Sequence, residues 1–209
     1  MSSEQLHVHV TESKGPVLVT GFGPFGHHAI NASWEAVKEL GKLGIEYKSK
    51  KVSLETRQIP VVYSEVSSTV PGLHEEVNPR LCVHVGVSPY TVMKLERCGR
   101  NNGYQMSDIY GRTPSSECCV SGGPDAITTR FDIDKVCQKL SLKQHDVKVK
   151  VSEDAGRYLC DFIYYTSLHT SKAPVLFVHV PELGNPYSAS ELAHALRDLI
   201  ELLLEELNN

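Results

Sequence analysis

The chain has 209 residues, 41% of them apolar and 22% charged, with 15 glycines and 11 prolines. That composition excludes collagen-like, coiled-coil and wholly disordered chains and suits one domain with a substantial core. Lys and Arg number 21 against 25 Asp and Glu, a net charge of −4, so no positive field draws in nucleic acid or an anionic membrane, and neither is expected as a partner.

Residues 1–14 mix Ser, Glu, Gln and His without an apolar stretch, which fits neither a secretory signal nor a transit peptide. They are expected as a disordered leader ahead of one folded domain over 15–209. No apolar run approaches the length of a membrane span, the richest lying around 174–181 and 202–204. The expected compartment is therefore the cytosol. Six cysteines (82, 98, 118, 119, 137 and 160) then read as reduced thiols, and the sequon Asn31-Ala32-Ser33 as a chance match. Cys118-Cys119 and the pairs His7/His9 and His27/His28 lack a second half at zinc spacing, so no metal and no cofactor are expected.

In chain order, Val17 to Thr20 is a β-branched run ending at Gly21 and predicts a buried strand. Asn31 is a good cap for a helix carrying Trp34, Val37, Leu40 and Leu43 and ending near Gly41 or Gly44. A strand over 51–59, a short helix over 63–70 and an apolar strand over 81–87 follow. From Cys98 to Asp125 the pattern dissolves into Gly, Asn, Ser and Pro, a stretch long enough to be a lid or site loop. Order resumes with a helix over 133–140, a strand over 147–151, a helix over 159–168, a strand over 175–180 and a long helix over 188–207. Apolar strands alternating with helices imply a mostly parallel sheet covered on both faces, an α/β/α sandwich. In such folds ligands collect at the carboxyl ends of strands.

Three strand ends could carry chemistry. Gly21-Phe22-Gly23-Pro24-Phe25-Gly26 satisfies G-x-G-x-x-G, which raises a dinucleotide-binding oxidoreductase. Against that, Pro24 interrupts the turn, the best helix cap comes only at Asn31, and two phenylalanines fill places where phosphate needs bare backbone. The rings either plug the core or form an apolar wall that grips a small flat neutral ring. Ser152 to Cys160 runs from a strand through a Gly-containing turn into a helix. If the helix begins beyond Gly156, Cys160 sits in its first turn, where free N–H groups favour a thiolate and can hold an oxyanion. If it begins at Asp154, Cys160 reads as a small buried hydrophobe. His179 stands one residue before the end of the strand Phe177 to Val180. A lone histidine there, like His84 in the similar strand 81–87, is usually a core residue, but a cysteine and a histidine on neighbouring strand ends are what a nucleophile and its base require.

Together, Thr20-Gly21-Phe22-Gly23-Pro24-Phe25-Gly26, Asn31-Ala32-Ser33-Trp34, Leu95-Glu96-Arg97, Asp154 to Cys160 and Phe177-Val178-His179-Val180-Pro181 resemble, in order and spacing, the pyroglutamyl-peptidase I family of cysteine peptidases. The resemblance runs from about Val17 to Leu204 and is closest to the animal branch, where Cys-Gly follows the Glu-Arg or Glu-Lys pair. It implies an α/β/α sandwich around a mixed sheet, a catalytic domain over 15–209, and removal of an N-terminal pyroglutamyl residue from small peptides. By motif it makes Cys160 the nucleophile, His179 the base and then the acid, and Glu96 the support of the histidine. Phe22 and Phe25 would sandwich the lactam ring, with Val87, Tyr158 and Leu159 lining the pocket. A neutral ring suits an apolar slot without an acidic anchor. The rival within the family is an inactive member that binds ring-ended peptides. Asp161 stands where bacterial members usually carry Asn, Gly99 replaces a usual Ala, and 98–125 maps onto no bacterial pattern.

Overall fold

The computed structural model describes residues 15–26 and 29–208; the leader 1–14 and the pair His27/His28 lie outside them. Ten strands and five helices are formed among the described residues. The first strand, β1 (Val17–Phe22), leads into α1 (Ala32–Leu43), which Asn31 caps by accepting from the Ser33 N–H. A small ribbon of β2 (Glu46–Tyr47) and β3 (Lys50–Lys51) precedes β4 (Leu54–Ile59). The strand predicted over 51–59 is thus confined to 54–59, its first residues being diverted into the ribbon.

Helix α2 (Tyr63–Val77) runs well past the expected end at Val70. Pro71-Gly72 reads as a stop because proline removes an N–H and glycine adds chain entropy. Tertiary packing overrides both, since Leu73 and His74 continue the buried face set by Tyr63, Val66 and Val70. Next come β5 (Leu81–Val87) and β6 (Met93–Glu96), the latter unmarked in the sequence reading. A hairpin pairs β7 (Cys98–Arg100) with β8 (Ala126–Thr128). The chain closes with α3 (Ile133–Leu140), β9 (Val149–Ser152), α4 (Leu159–Thr170), β10 (Val175–Val180) and α5 (Ala189–Glu206). Ser188 and Glu191 form a capping box that starts α5.

The main sheet has the order β4-β1-β5-β10-β6-β9. Its first four strands are parallel, β6 joins β10 antiparallel, and β9 follows β6. It is the mixed, mostly parallel sheet of an α/β/α sandwich. One face buries Val19, Val83, Leu95 and Val178 against apolar residues of α1, α3 and α5. The other buries Leu18, Cys82 and Phe177 against Val66 of α2 and Phe162 and Ile163 of α4. Two cores on opposite faces follow from the two-residue period of each strand.

The 98–125 stretch is pinned rather than loose. Asn101 Nδ2 donates to the carbonyls of Val120 and Gly123, while its Oδ1 accepts from the N–H groups of Cys119 and Val120. Buried Asp108 accepts from the N–H groups of Tyr63, Tyr110 and Arg112. Buried Tyr104 donates to Asp161 on α4. These bonds satisfy a backbone that lacks regular structure, so the segment packs along α2 and α4 as a strap.

Candidate active site

Helix α4 begins at Leu159 with Tyr158 as N-cap, so Cys160 does lie in its first turn. Tyr158 provides no side-chain cap, and the opening N–H groups of an α-helix have no partner within it. Leu159 and Cys160 share a cavity with Val87 and His179, at the carboxyl ends of β5 and β10, and an anion bound at the helix start would gain both hydrogen bonds and the helix dipole.

Strand β10 brings His179 to the same place. Its register sets Gly86 of β5 on one side and Lys94 of β6 on the other. Glu96, two residues along β6, pairs with Phe177 and shares the face of His179. The ring's Nδ1 lies 2.7 Å from Glu96 Oε1, with the carboxylate fully buried. That leaves Nε2 for the Cys160 sulfur. Burial works against a proton on the imidazole, but the Cys160 sulfur and the Glu96 carboxylate outweigh it and hold the His179 pKa up at about 9. Tyr164 on α4 fixes the strand from below by donating to the Glu96 carbonyl at 2.9 Å.

Gly86 is indispensable here. A Cβ at this position would stand 2.7 Å from Cys160 Sγ and 2.7 Å from the Phe177 ring, so the bare backbone of β5 is what admits the sulfur. The sequence reading passes over this residue, although a glycine inside an apolar strand signals close approach.

A cavity of about 360 Å³ opens onto these groups, within the size range of small-molecule sites. Cys160, His179 and Glu96 line it together with Phe22, Phe25, Val87, Tyr158 and Leu159, so all eight residues singled out in the sequence meet at one place. Phe22 also packs into the core at 4% exposure, whereas Phe25 is half-buried. The two readings of the rings, core plug and pocket wall, therefore both hold for Phe22. Asn31, Ser88, Lys94 and Asp154 add polar groups to the wall; the sequence marked Asn31 as a cap and within a motif and Asp154 within the helix-start motif, neither of them as pocket wall. No residue of 98–125 lines this cavity, because the strap's anchors Tyr104 and Asp108 hold it against α2 and α4.

The glycine turn does not serve a dinucleotide. A Cβ at Gly21 would stand 2.8 Å from the Trp34 backbone, so this glycine exists to let α1 lie against β1. Phe22 N–H donates to Ser33 Oγ, and Asn31 Nδ2 donates to the Gly23 carbonyl. Those bonds fold the turn onto the flank of α1 instead of aiming it at a phosphate.

A thiol, an imidazole and a buried carboxylate converging at the strand ends of an α/β sandwich define a cysteine-type hydrolase. The comparisons with known proteins agree. The sequence pattern of pyroglutamyl peptidase matches residues 15–191. Pyroglutamyl-peptidase 1 of Rattus norvegicus is 51% identical over 189 residues, covering 90% of this chain and 89% of its own. The Homo sapiens protein of the same name is 50% identical, covering 90% of each. Among solved structures, pyrrolidone carboxyl peptidase from Fervidobacterium islandicum superposes with a TM-score of 0.81 at 30% identity, over 92% of this chain and 99% of that one. The chain belongs to the pyroglutamyl peptidase family.

Proposed function

We propose that this protein is a cysteine omega-peptidase that hydrolyses the bond after an N-terminal pyroglutamyl residue, with Cys160, His179 and Glu96 as its catalytic groups. The observation that carries the reading is His179, hydrogen-bonded to buried Glu96 at 2.7 Å and facing Cys160 at the mouth of an apolar cavity. The Cys160 thiolate attacks the scissile carbonyl, and the oxyanion that forms is held by N–H groups at the start of α4. His179, protonated through the thiol's proton and kept so by Glu96, donates that proton to the departing amine. Water, deprotonated by the same imidazole, then attacks the thioester and releases pyroglutamate, restoring the thiol.

Phe22 and Phe25 grip the faces of the lactam, while Val87, Tyr158 and Leu159 close the slot. An uncharged ring loses little on leaving water for such an apolar wall, whereas an ordinary N-terminal ammonium would give up most of its hydration there. Substrates are small peptides, which would enter the cavity of about 360 Å³ by their pyroglutamyl end. The catalytic domain is the whole of 15–209, with 98–125 acting as a brace for α4. The six thiols are all free, which supports work in a reducing compartment such as the cytosol.

The test is turnover of a fluorogenic pyroglutamyl amide by the parent protein, before and after iodoacetamide. Hydrolysis abolished by alkylation and by Cys160→Ala is the expected result. Binding of the amide without turnover would mark the inactive, ring-binding relative instead.

A further inference from the structure

Two turns of α4 beyond Cys160, on the same side of the sheet, lies a second group of ligating side chains that the reaction does not use. His74 from α2 and Cys82 and His84 from β5 place one ligand atom each within 4.8 Å of the others, and all three are buried. Cys82 and His84 sit two apart on a strand and so share a face, with Sγ 3.4 Å from Nε2. Sulfur and nitrogen ligands at about 2.3 and 2.0 Å from one ion lie about 3.5 to 3.7 Å apart. The sheet has therefore nearly set that spacing already.

Both imidazoles aim Nε2 at one point, occupied by Ser167 Oγ at 3.1 Å from His74 and 2.6 Å from His84. Each also has an outer hydroxyl at Nδ1: Ser171 at 3.2 Å from His74 and Thr20 at 2.7 Å from His84. A ring whose Nδ1–H donates outward turns its Nε2 lone pair to the centre; Ser167 has one hydroxyl proton, so without an ion its oxygen donates to one Nε2 and accepts from the other, and binding an ion shifts that second ring to the Nδ1–H tautomer. An outer hydrogen bond of this kind orients a metal-bound histidine and fixes its tautomer.

Charge balance selects the ion. Among the described residues no carboxylate hydrogen-bonds to any of the three. A divalent ion on a single thiolate would leave a net positive charge in the core, at a heavy desolvation cost. A soft monovalent ion leaves none, and thiolate with imidazole suits such an ion. We propose that His74, Cys82 and His84 form a buried trigonal site for one Cu⁺ ion, bound through Nε2, Sγ and Nε2, with the Ser167 hydroxyl turned aside. Binding exchanges the Cys82 thiol proton for the ion; the proton leaves to solvent, and copper stays monovalent. The site stands whether or not the peptidase reading does.

The experiment alkylates the accessible thiols with iodoacetamide in the native protein, leaving Cys82 protected, and equilibrates Cu⁺ anaerobically against bicinchoninate. One equivalent retained is expected, with a raised melting temperature. Cys82→Val, which keeps the position apolar and of high strand propensity, should weaken retention at least a hundredfold and abolish the thermal shift, and His74→Leu should do the same. If His74→Leu fails to fold, Cys82→Val decides alone. No ion retained by the alkylated parent, unchanged retention by Cys82→Val, or displacement of Cu⁺ by equimolar Zn²⁺ would overturn the assignment.

Discussion

Two cysteine–histidine groups lie between the same sheet and the same helix, and they differ in charge and in access. At the strand ends, Cys160 and His179 have a buried carboxylate, Glu96, and a cavity open to substrate. Deeper in the sheet, Cys82 and His84 have only hydroxyls and a second imidazole, and are sealed from water. Burial pushes the Cys82 thiol up and the His84 imidazole down, so that pair stays neutral, while His179 is held up at about 9. The same two residue types thus stand beside a carboxylate and an opening in one place, and sealed among neutral groups in the other.

The largest expected effect breaks the comparison outright. Cys160→Ala should lower turnover of a pyroglutamyl amide by roughly 10⁴-fold or more, with a melting temperature close to the parent's. Cys82→Ala should do the reverse, leaving turnover near normal and costing about 1–2 kcal/mol as a small core cavity. Denaturant unfolding and steady-state kinetics on both variants check the pair.

Gly86→Ala sharpens it by crowding Cys160 and not Cys82. With the new methyl 2.7 Å from both Cys160 Sγ and the Phe177 ring, the thiol must shift, and kcat should fall roughly a hundredfold for a misplaced nucleophile. Overpacking should also cost about 1–3 kcal/mol. Unchanged iodoacetamide reactivity at Cys160 would show that the sulfur has somewhere else to go.

Glu96→Gln removes the charge and keeps the shape. In the proposed mechanism His179 needs its proton for the leaving amine, so activity should be present below its raised pKa and lost as pH rises through about 9. In the variant that alkaline limb should move down toward the ordinary histidine value, with kcat roughly tenfold to a hundredfold lower. His179→Ala should be worse, since it loses the proton carrier itself. The readout is the pH profile of turnover and of alkylation; a profile that does not move removes Glu96 from the pair.

Smaller effects separate the two rings. Phe25→Ala should raise KM several-fold with little change in melting temperature, because the ring is only half-buried. Phe22→Ala should raise KM and also cost about 3 kcal/mol, because it is core as well as wall. Parallel KM and unfolding measurements distinguish them.

The smallest effect concerns Asp161, beside the nucleophile. Burial raises its pKa to about 6, against bonds from Arg100 N–H, Arg157 and Tyr104. A raised carboxyl pKa means the ionised form is penalised in the fold; the penalty is present above about pH 6 and is relieved as pH falls toward the unfolded value near 3.8. Relative to Asp161→Asn, the parent should therefore gain stability, on the order of 1 kcal/mol, between pH 7 and 5. A difference in unfolding free energy that stays flat with pH would contradict this.

Local patterning determined much of the chain unaided. The β-branched runs at Val17 and Val175, the Asn31 cap and the Ser188 to Glu191 box carry their own geometry within a few residues, and each element forms where its residues predict. Phe22, Phe25, Cys160 and His179 were legible because they stand at strand ends and a helix start, positions readable from a short window, whereas Glu96, Val87, Tyr158 and Leu159 were reached only through the family resemblance. Tertiary structure decided the rest. It carried α2 through Pro71 because Leu73 and His74 had a core to enter, and it made β6 a strand only by giving Glu96 a neighbour in β10. It turned Gly86 into the space for a sulfur, and it gathered His74, Cys82 and His84, whose ligand spacing follows no sequence motif. Propensity and capping are settled by bonds between near neighbours, whereas register, close approach and converging ligands depend on what lies across the sheet.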